Sequence, residues 1–345
     1  MSHHSDTRRQ GETTIEDVAA VAGVSIRTVS RVLNGSSLVN AATRERIEQV
    51  IAQLKFTPSS RARGLALRRS FLIGLIHNDH NALVLDAIQR AVISATVSSG
   101  YELITHPNSL ESQAAIDELL AFVERSKVDG LIVLPPISGI PGLADALAEA
   151  GILAVALSSV PIDGFCDVII SKEREAGARV ARYLIDLGHR RLGIVNGPAD
   201  VTSARERRAG FVDAASSAGV PVAEVDGDYG FTSGVAAATR LLSLGERPTG
   251  IFAANDIMAA GVLKVAASLG VAVPTDLSVI GFDGSMITQM LTPALTSVYR
   301  PFDLMAQGAA MRLMARIEGK APPVLPDFAM EVVPAESTDR APKIG

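Results

Sequence analysis

Hydrophobic positions recur along this 345-residue chain in two rhythms, and the change between them divides it. Up to about residue 58 the spacing is helical. Ile15, Val18, Ala19 and Ala22 mark one face of a first helix, with Thr14 as N-cap and Asp17 placed to complete a capping box. Gly23 allows a sharp turn with positive φ. Val24 adds an apolar pin, and Ser25 caps a second helix through about Leu33, with Thr28 in its first turn and Asn34-Gly35 as its stop. Asn40 opens a third helix whose buried stripe is Ile47, Val50, Ile51 and Leu54, while Arg44, Glu45, Arg46 and Glu48 face water. Two short helices about a glycine turn, the second carrying arginines, is the helix-turn-helix pattern; an ordinary αα-hairpin shares it.

From Phe71 the rhythm becomes an alternation of strands and helices. The runs FLIGLI (71–76), YELITH (101–106), GLIVLPP (130–136), ILAVALSS (152–159), DVIIS (167–171), RLGIVNG (191–197), GIFAAND (250–256) and LSVIGFD (277–283) read as strands. Most are continuously apolar, as expected of a parallel sheet covered on both faces. Helical patterns lie between them at 85–98, 111–125, 172–187, 204–218, 232–244, 256–269 and 303–318. The expected class is therefore α/β, doubly wound, with too many strands for one compact sheet and hence two subdomains. Helix 85–98 is apolar over an unusually wide arc, which fits either an interface between subunits or an internal core helix.

Charge changes how the two parts are read. Residues 1–70 hold eleven Lys+Arg against six Asp+Glu, a balance of +5, whereas the remainder holds 21 against 31, a balance of −10. A basic head on an acidic body is expected if only the head meets phosphate. The segment between them, SSRARGLALRRS (59–70), places Arg61, Arg63, Arg68 and Arg69 around two leucines. It is either a solvated linker or a hinge that orders against a polyanion. The composition, 48% hydrophobic, excludes a disordered chain. No apolar run is long enough to be read as a membrane span, MSHHSDTRRQGE lacks the apolar core of a signal peptide, and the single cysteine, Cys166, suits a reducing compartment. A cytoplasmic protein without membrane partner or cofactor is expected.

In doubly wound sheets ligands sit beyond the carboxyl ends of the strands. Those ends carry His77-Asn78-Asp79, Ser158-Ser159, Asn196, Asn255-Asp256 and Asp283; Ser203-Ala204-Arg205-Glu206-Arg207 opens a helix, and Tyr229 lies in a Gly/Asp-rich loop. Each could merely cap a helix. Together they offer donors, acceptors, an arginine and a ring, which suits a polyhydroxylated or otherwise polar small molecule. His77 and His80 without a third matched ligand do not make a metal site.

The ordered segments TIEDVAAVAGVSIRTVSRVLNG, PSSRARGLA, GHRRLGIVNGP (188–198), SARERRAGF (203–211), FAANDIMAAG (252–261), VPTDLSVIGFDG (273–284) and LTPALTSV (291–298) resemble the LacI/GalR family of bacterial transcription regulators over nearly the whole chain. The resemblance implies a helix-turn-helix head at 1–58, a hinge at 59–70 and a periplasmic-binding-protein-like body at 71–340. The body divides into an N-subdomain of about 71–170 plus 300–328 and a C-subdomain of about 171–299 plus 329–340. It also implies a homodimer on a pseudo-palindromic double-stranded operator, and a small effector, most often a sugar or sugar derivative, that changes operator affinity.

Ile26, Arg27 and Arg31 match the family's base-reading positions; Ser25, Thr28 and Asn34 match phosphate contacts or caps. Leu65 matches a leucine wedged into the minor groove, with Ala62 and Ala66 as its small neighbours, although Gly64 departs from the family's better helix former. For the effector, Asn78, Arg207, Tyr229, Asn255 and Asp283 match ligand-contacting positions, with Arg205 and Arg300 as weaker matches. HNDHNA (77–82) departs from the family pattern, so the effector is expected to differ from those of many relatives. The tail PAESTDRAPKIG has no leucine heptads, which points to a dimer rather than a tetramer.

Two readings from other classes compete. An α/β enzyme bearing a DNA-binding head would need a catalytic motif, and the chain has no G-x-x-x-x-G-K-[ST], no G-x-S-x-G and no G-x-G-x-x-G opening a helix. A sugar-binding protein without regulatory role would have no use for the basic head. A non-enzymatic, effector-controlled repressor is the expectation.

Overall fold

In the computed structural model, residues 13–33, 36, 38–56, 69–78, 82–108 and 112–342 are described. The chain forms two compact units that meet in sequence at Ser70 and Phe71. In the first, α1 (Ile15–Ala22), α2 (Ile26–Leu33) and α3 (Ala41–Gln53) enclose Val18, Val29 and Ile47, all fully buried. The capping box forms: Thr14 Oγ1 accepts from the Asp17 amide at 3.3 Å, and Asp17 Oδ2 accepts from the Thr14 amide at 2.8 Å. Gly23 turns the chain at φ 63°, a region that a Cβ would strain. Asn40 caps α3 by accepting from the Thr43 amide at 2.8 Å. Asn34 and the hinge positions Ala62, Leu65 and Ala66 lie outside the described residues.

The second unit holds two sheets. The first contains β1 (Leu72–His77), β2 (Glu102–Pro107), β3 (Gly130–Val133), β4 (Ala154–Ser158) and β5 (Asp167–Ile170), all parallel, in the order β2-β1-β3-β4-β5. On one face α4 (Ala82–Thr96) and α11 (Phe302–Ile317) cover Ile73, Leu75, Ile132 and Val155; on the other α5 (Ser112–Ser126) and α6 (Leu143–Glu149) cover Ile76, Leu131 and Val133. β4 is buried at every residue, the pattern of a strand covered on both sides.

The second sheet runs β11-β10-β9-β8-β6-β7. Its strands are β6 (Leu192–Asn196), β7 (Val222–Asp226), β8 (Gly250–Ala253), β9 (Ser278–Asp283), β10 (Thr296–Tyr299) and β11 (Glu331–Val333), of which β11 alone is antiparallel. Helices α7 (Glu173–Asp186) and α8 (Thr202–Ser217) pack on one face, α9 (Phe231–Leu242) and α10 (Asp256–Ser268) on the other. Phe211 of α8 and Phe252 and Phe282 of the sheet are fully buried between the sheet and these helices; each stabilises the fold by roughly 1.5–3 kcal/mol relative to exposure.

Four elements escaped the hydrophobic pattern. β7 is an edge strand with exposed and half-buried positions, β10 and β11 have only four and three residues, and α6 is a two-turn helix between prolines and a glycine. The expectation that no segment could span a membrane also needs correction. Residues 82–99 form a helical stretch of 18 residues with mean hydropathy 1.2, long and apolar enough by composition. That stretch nonetheless carries an exposed Asp86–Arg90 ion pair at 2.8 Å and buries Ile88, Ala91 and Val92 in the sheet core.

The chain passes between the two sheets at residues 171–172, 300–301 and 318–330. Just past the first passage, α7 and α8 cross at backbone contact. A Cβ on Gly177 would lie 2.2 Å from the Arg207 carbonyl oxygen, and one on Gly210 would lie 1.9 Å from that of Arg174. Because both contacts are with backbone, a methyl group can be admitted only by separating the helices. Gly210→Ala is therefore expected to destabilise by about 3 kcal/mol or more in equilibrium denaturation, as overpacked cores do; a loss below about 0.5 kcal/mol would contradict the close crossing.

Candidate functional site

In the head, α2 presents one open face. Val29 and Val32 point into the core, Ser25, Ile26 and Arg27 are exposed, and Thr28 and Arg31 are half-buried. The hydroxyls of Ser25 and Thr28 lie 2.9 Å apart, and Ser25 Oγ accepts from the Thr28 amide at 3.2 Å, so this pair caps the helix start. Ile26 is 47% exposed, which leaves an apolar side chain at the open start of the helix.

In the body, a cavity of about 150 Å³ opens between the carboxyl edges of the two sheets. One wall is apolar: Val84, Leu85, Ile88, Leu134, Leu157 and Phe302. The other carries Ser203, Arg207, Tyr229, Asn255, Asp283 and Arg300, with His77 and Asn78 at the end of β1. Of the sequence-selected effector residues, six line this space. Arg205 does not: its guanidinium points back to the carbonyls of Ala199 and Asp200 and to Thr202, at 2.9–3.2 Å. Asn196 is likewise turned away, donating toward Asp226 at 3.2 Å, and Ser158-Ser159 lie outside the cavity lining.

The backbone is strained where the site is formed. Tyr229 has φ 69° and Asp283 φ 105°, both in a region side chains rarely occupy, which costs of order 1–3 kcal/mol each. Asn255 helps to hold the first. Its side-chain oxygen caps α10 by accepting from the Met258 amide at 2.8 Å, and its side-chain nitrogen donates to the Tyr229 carbonyl at 2.9 Å. Asn255 is thus committed to positioning Tyr229 in addition to facing the cavity.

Arg207 is buried and held on three sides. Its Nε donates to Glu173 at 2.6 Å, its Nη1 donates to the Ala254 carbonyl, and its guanidinium lies 3.8 Å from the centre of the Phe282 ring. Glu173, fully buried, also pairs with Arg300 Nη2 at 3.0 Å and accepts from Ser171 at 3.0 Å. Burial pushes its pKa upward, but Arg207 and Arg300 outweigh this and hold the carboxyl below the usual glutamate range. Removing one partner of such a buried pair costs about 3–5 kcal/mol.

A second buried carboxylate, Asp256, accepts from the Ser285 amide and hydroxyl at 2.8 Å each and from Ser297 at 2.5 Å. Burial raises Asp283 to about 7, opposed by Arg207 and reinforced by the like charge of Asp256; it raises Asp256 to about 6, opposed first by the hydrogen bonds from Ser297 and Ser285 and then by Arg207. Sequence reasoning did not select Glu173, and it named Asp256 only as part of the Asn255-Asp256 strand end, not as an effector contact. Within Lys172-Glu173-Arg174-Glu175 every residue is charged and only Glu173 is buried, so composition offers no signal; the helix-capping position beside Asn255 masked Asp256.

Known proteins match both units. The model of the lacI family of bacterial regulatory proteins matches residues 14–59, and that of the periplasmic binding protein-like domain matches residues 181–338. The HTH-type transcriptional repressor PurR of Proteus mirabilis (strain HI4320) is 36% identical over 315 residues, covering 89% of this chain and 91% of its own length. Among solved structures, the transcriptional regulator CelR–cellobiose complex is 30% identical with a TM-score of 0.68, covering 94% of this chain and 100% of its own. The lac repressor dimer bound to operator and the anti-inducer ONPF is 29% identical with a TM-score of 0.77, covering 95% and 100%.

The raised carboxyl pKa at Asp283 has a signed consequence. The folded protein keeps a proton that the unfolded chain loses near 3.8, so this group's contribution to stability declines as pH rises from about 4 to about 7. Asp283→Asn lacks that decline. Its stability relative to the parent is expected to increase between about pH 5 and pH 8, on the order of 1–3 kcal/mol. Thermal melts across that range test it; a flat difference would show that Asp283 is ionised throughout.

Proposed function

This chain belongs to the lacI family of bacterial regulatory proteins, and on that premise we propose that its cavity is the control site of an operator-binding switch. As a family member it is a DNA-binding transcriptional repressor with a ligand-binding domain, not an enzyme. The remaining statements are our reading of its residues. Ile26, Arg27 and Arg31 read base edges: the arginines pair with guanine acceptors, and Ile26 gives apolar contact to a thymine methyl group. Ser25, Thr28 and Asn34 position the head against phosphate, while Leu65, between Ala62 and Ala66, enters the minor groove. The protein acts as a cytoplasmic homodimer on a pseudo-palindromic site.

The effector is a small polar molecule, a sugar or sugar derivative, contacted by Asn78, Arg207, Tyr229, Asn255, Asp283 and Arg300. One observation carries this reading: two arginines and a strained Asp283 are buried around a cavity whose opposite wall is apolar. That arrangement matches a ring with hydroxyls on its edge and C–H groups on its face. The cellobiose held by the CelR relative supports it. Arg205 contributes only through its loop. Control follows by linkage: an effector that prefers one arrangement of the two subdomains shifts the population between them, with a coupling of about 1–3 kcal/mol.

Two outcomes are expected. Arg27→Ala weakens binding to the operator by about 5- to 150-fold, equivalent to roughly 1–3 kcal/mol, and relaxes preference at one base position. Gel shifts with fragments flanking the protein's own gene measure this, and equal retention of all fragments by the parent protein would remove the operator reading. Asp283→Ala keeps operator affinity while losing the response to sugars that shift the parent; normal induction in that variant would dissociate the cavity from control.

A further inference from the structure

We propose that Glu173, which does not line the cavity, sets its charge selectivity by completing the set of carboxyl groups that offsets its two arginines, so that the site admits an uncharged effector and refuses an anionic one. The inference rests on the cavity being the effector site. Its basis is a count of charges in one buried cluster. Arg207 and Arg300 are the permanently cationic side chains among the described lining residues, and both are buried. Seen alone they would mark a phosphate or carboxylate site, since paired guanidinium groups bind such anions bidentately.

The structure fills that role from within. Glu173 Oε2 accepts from Arg207 Nε at 2.6 Å and Glu173 Oε1 pairs with Arg300 Nη2 at 3.0 Å, one oxygen to each arginine. Asp256, with three hydrogen bonds from Ser285 and Ser297, supplies a second carboxylate behind the cavity wall, and Asp283 a third at the wall itself. Two cations thus face three carboxyl groups. An anionic effector would add a negative charge to a cluster with no surplus positive charge, in a setting where uncompensated charge is costly.

A neutral effector meets a different situation. Arg300 Nε is buried without a hydrogen-bond partner, a donor available to a hydroxyl or carbonyl oxygen. Asp283 can accept from a hydroxyl or N–H group. The same elements that reject an anion therefore orient an uncharged molecule with one acceptor and one donor on its edge.

The test uses the full-length protein without DNA and inorganic phosphate as probe. Glu173→Gln keeps the shape and removes one negative charge, so that two arginines face two carboxyl groups in place of three. Isothermal titration is expected to show one phosphate per chain, bound at least about tenfold more tightly than by the parent. The double variant Glu173→Gln, Arg300→Gln restores the parental net charge of the cluster and should return phosphate binding to the parental level, a comparison that also removes any contribution of the basic head. Should Glu173→Gln fail to fold, Arg300→Gln alone still reports: its body should bind phosphate no better than the parent, and aldonic acids should stabilise neither protein in thermal melts.

Equal phosphate affinity in all three proteins, or stabilisation of the parent by aldonic acids over the matching aldoses, would overturn the assignment. The regulatory reading fails separately. If phosphate follows Glu173 as described and yet no cavity ligand alters operator affinity, charge selection stands and control through the cavity does not.

Discussion

A carboxylate removed from all contact with water must be matched by cations, or it costs several kcal/mol and drives the chain to rearrange. Glu173 is in that position, and meeting its requirement organises much of the body. It draws Arg207 from α8 and Arg300 from the return passage between the sheets, while Ser171 completes its shell. Arg207 can reach it because Gly177 and Gly210 let α7 and α8 approach to backbone contact. The first passage between the subdomains is thereby tied to the second. Lys172, one residue away, reaches Asp327 in the third at 2.6 Å, an exposed pair of little energetic weight that nonetheless marks how near the three passages lie.

This arrangement places cavity-facing groups and two of the passages between the sheets in one electrostatic unit. The strained residues belong to the same wall. Tyr229 and Asp283 hold positive φ values that the surrounding packing must enforce, through Asn255 for Tyr229 and through the fully buried β9 for Asp283. Rigid placement of polar groups against an apolar wall is what binding a small molecule in a fixed orientation requires. The head solves a simpler problem: Val18, Val29 and Ile47 lock three short helices together and leave Ser25, Ile26 and Arg27 exposed at the start of α2.

Much of this was legible in the sequence. Thr14, Asp17 and Gly23 specify the helix-turn-helix locally, since a capping box and a left-handed turn depend only on residues within one or two turns. The doubly wound body follows from continuously apolar runs alternating with amphipathic ones, because burial on both faces removes polar residues from a strand. Edge strands escape that logic. β7 has one wet face, and β10 and β11 are too short to show any period. Polar strand ends likewise marked the rim of the cavity, but not which of them face inward: Asn78, Asn255 and Asp283 do, and Asn196 does not.

The sequence by itself thus determined the class of fold, the residues left outward on the second helix of the head and the arginine and aspartate of the cavity wall, all properties carried by local pattern or motif. Tertiary structure alone decided which charges are buried and with whom they pair. Glu173 stands among four consecutive charged residues and is indistinguishable from them until α8 and the 300–301 passage fold over it. Arg205 and Arg207 are two residues apart on one helix, yet one turns to its own loop and the other into the cavity. Charge pairing over separations of 34 and 127 positions depends on which surfaces the fold brings together, and local residue pattern does not encode it.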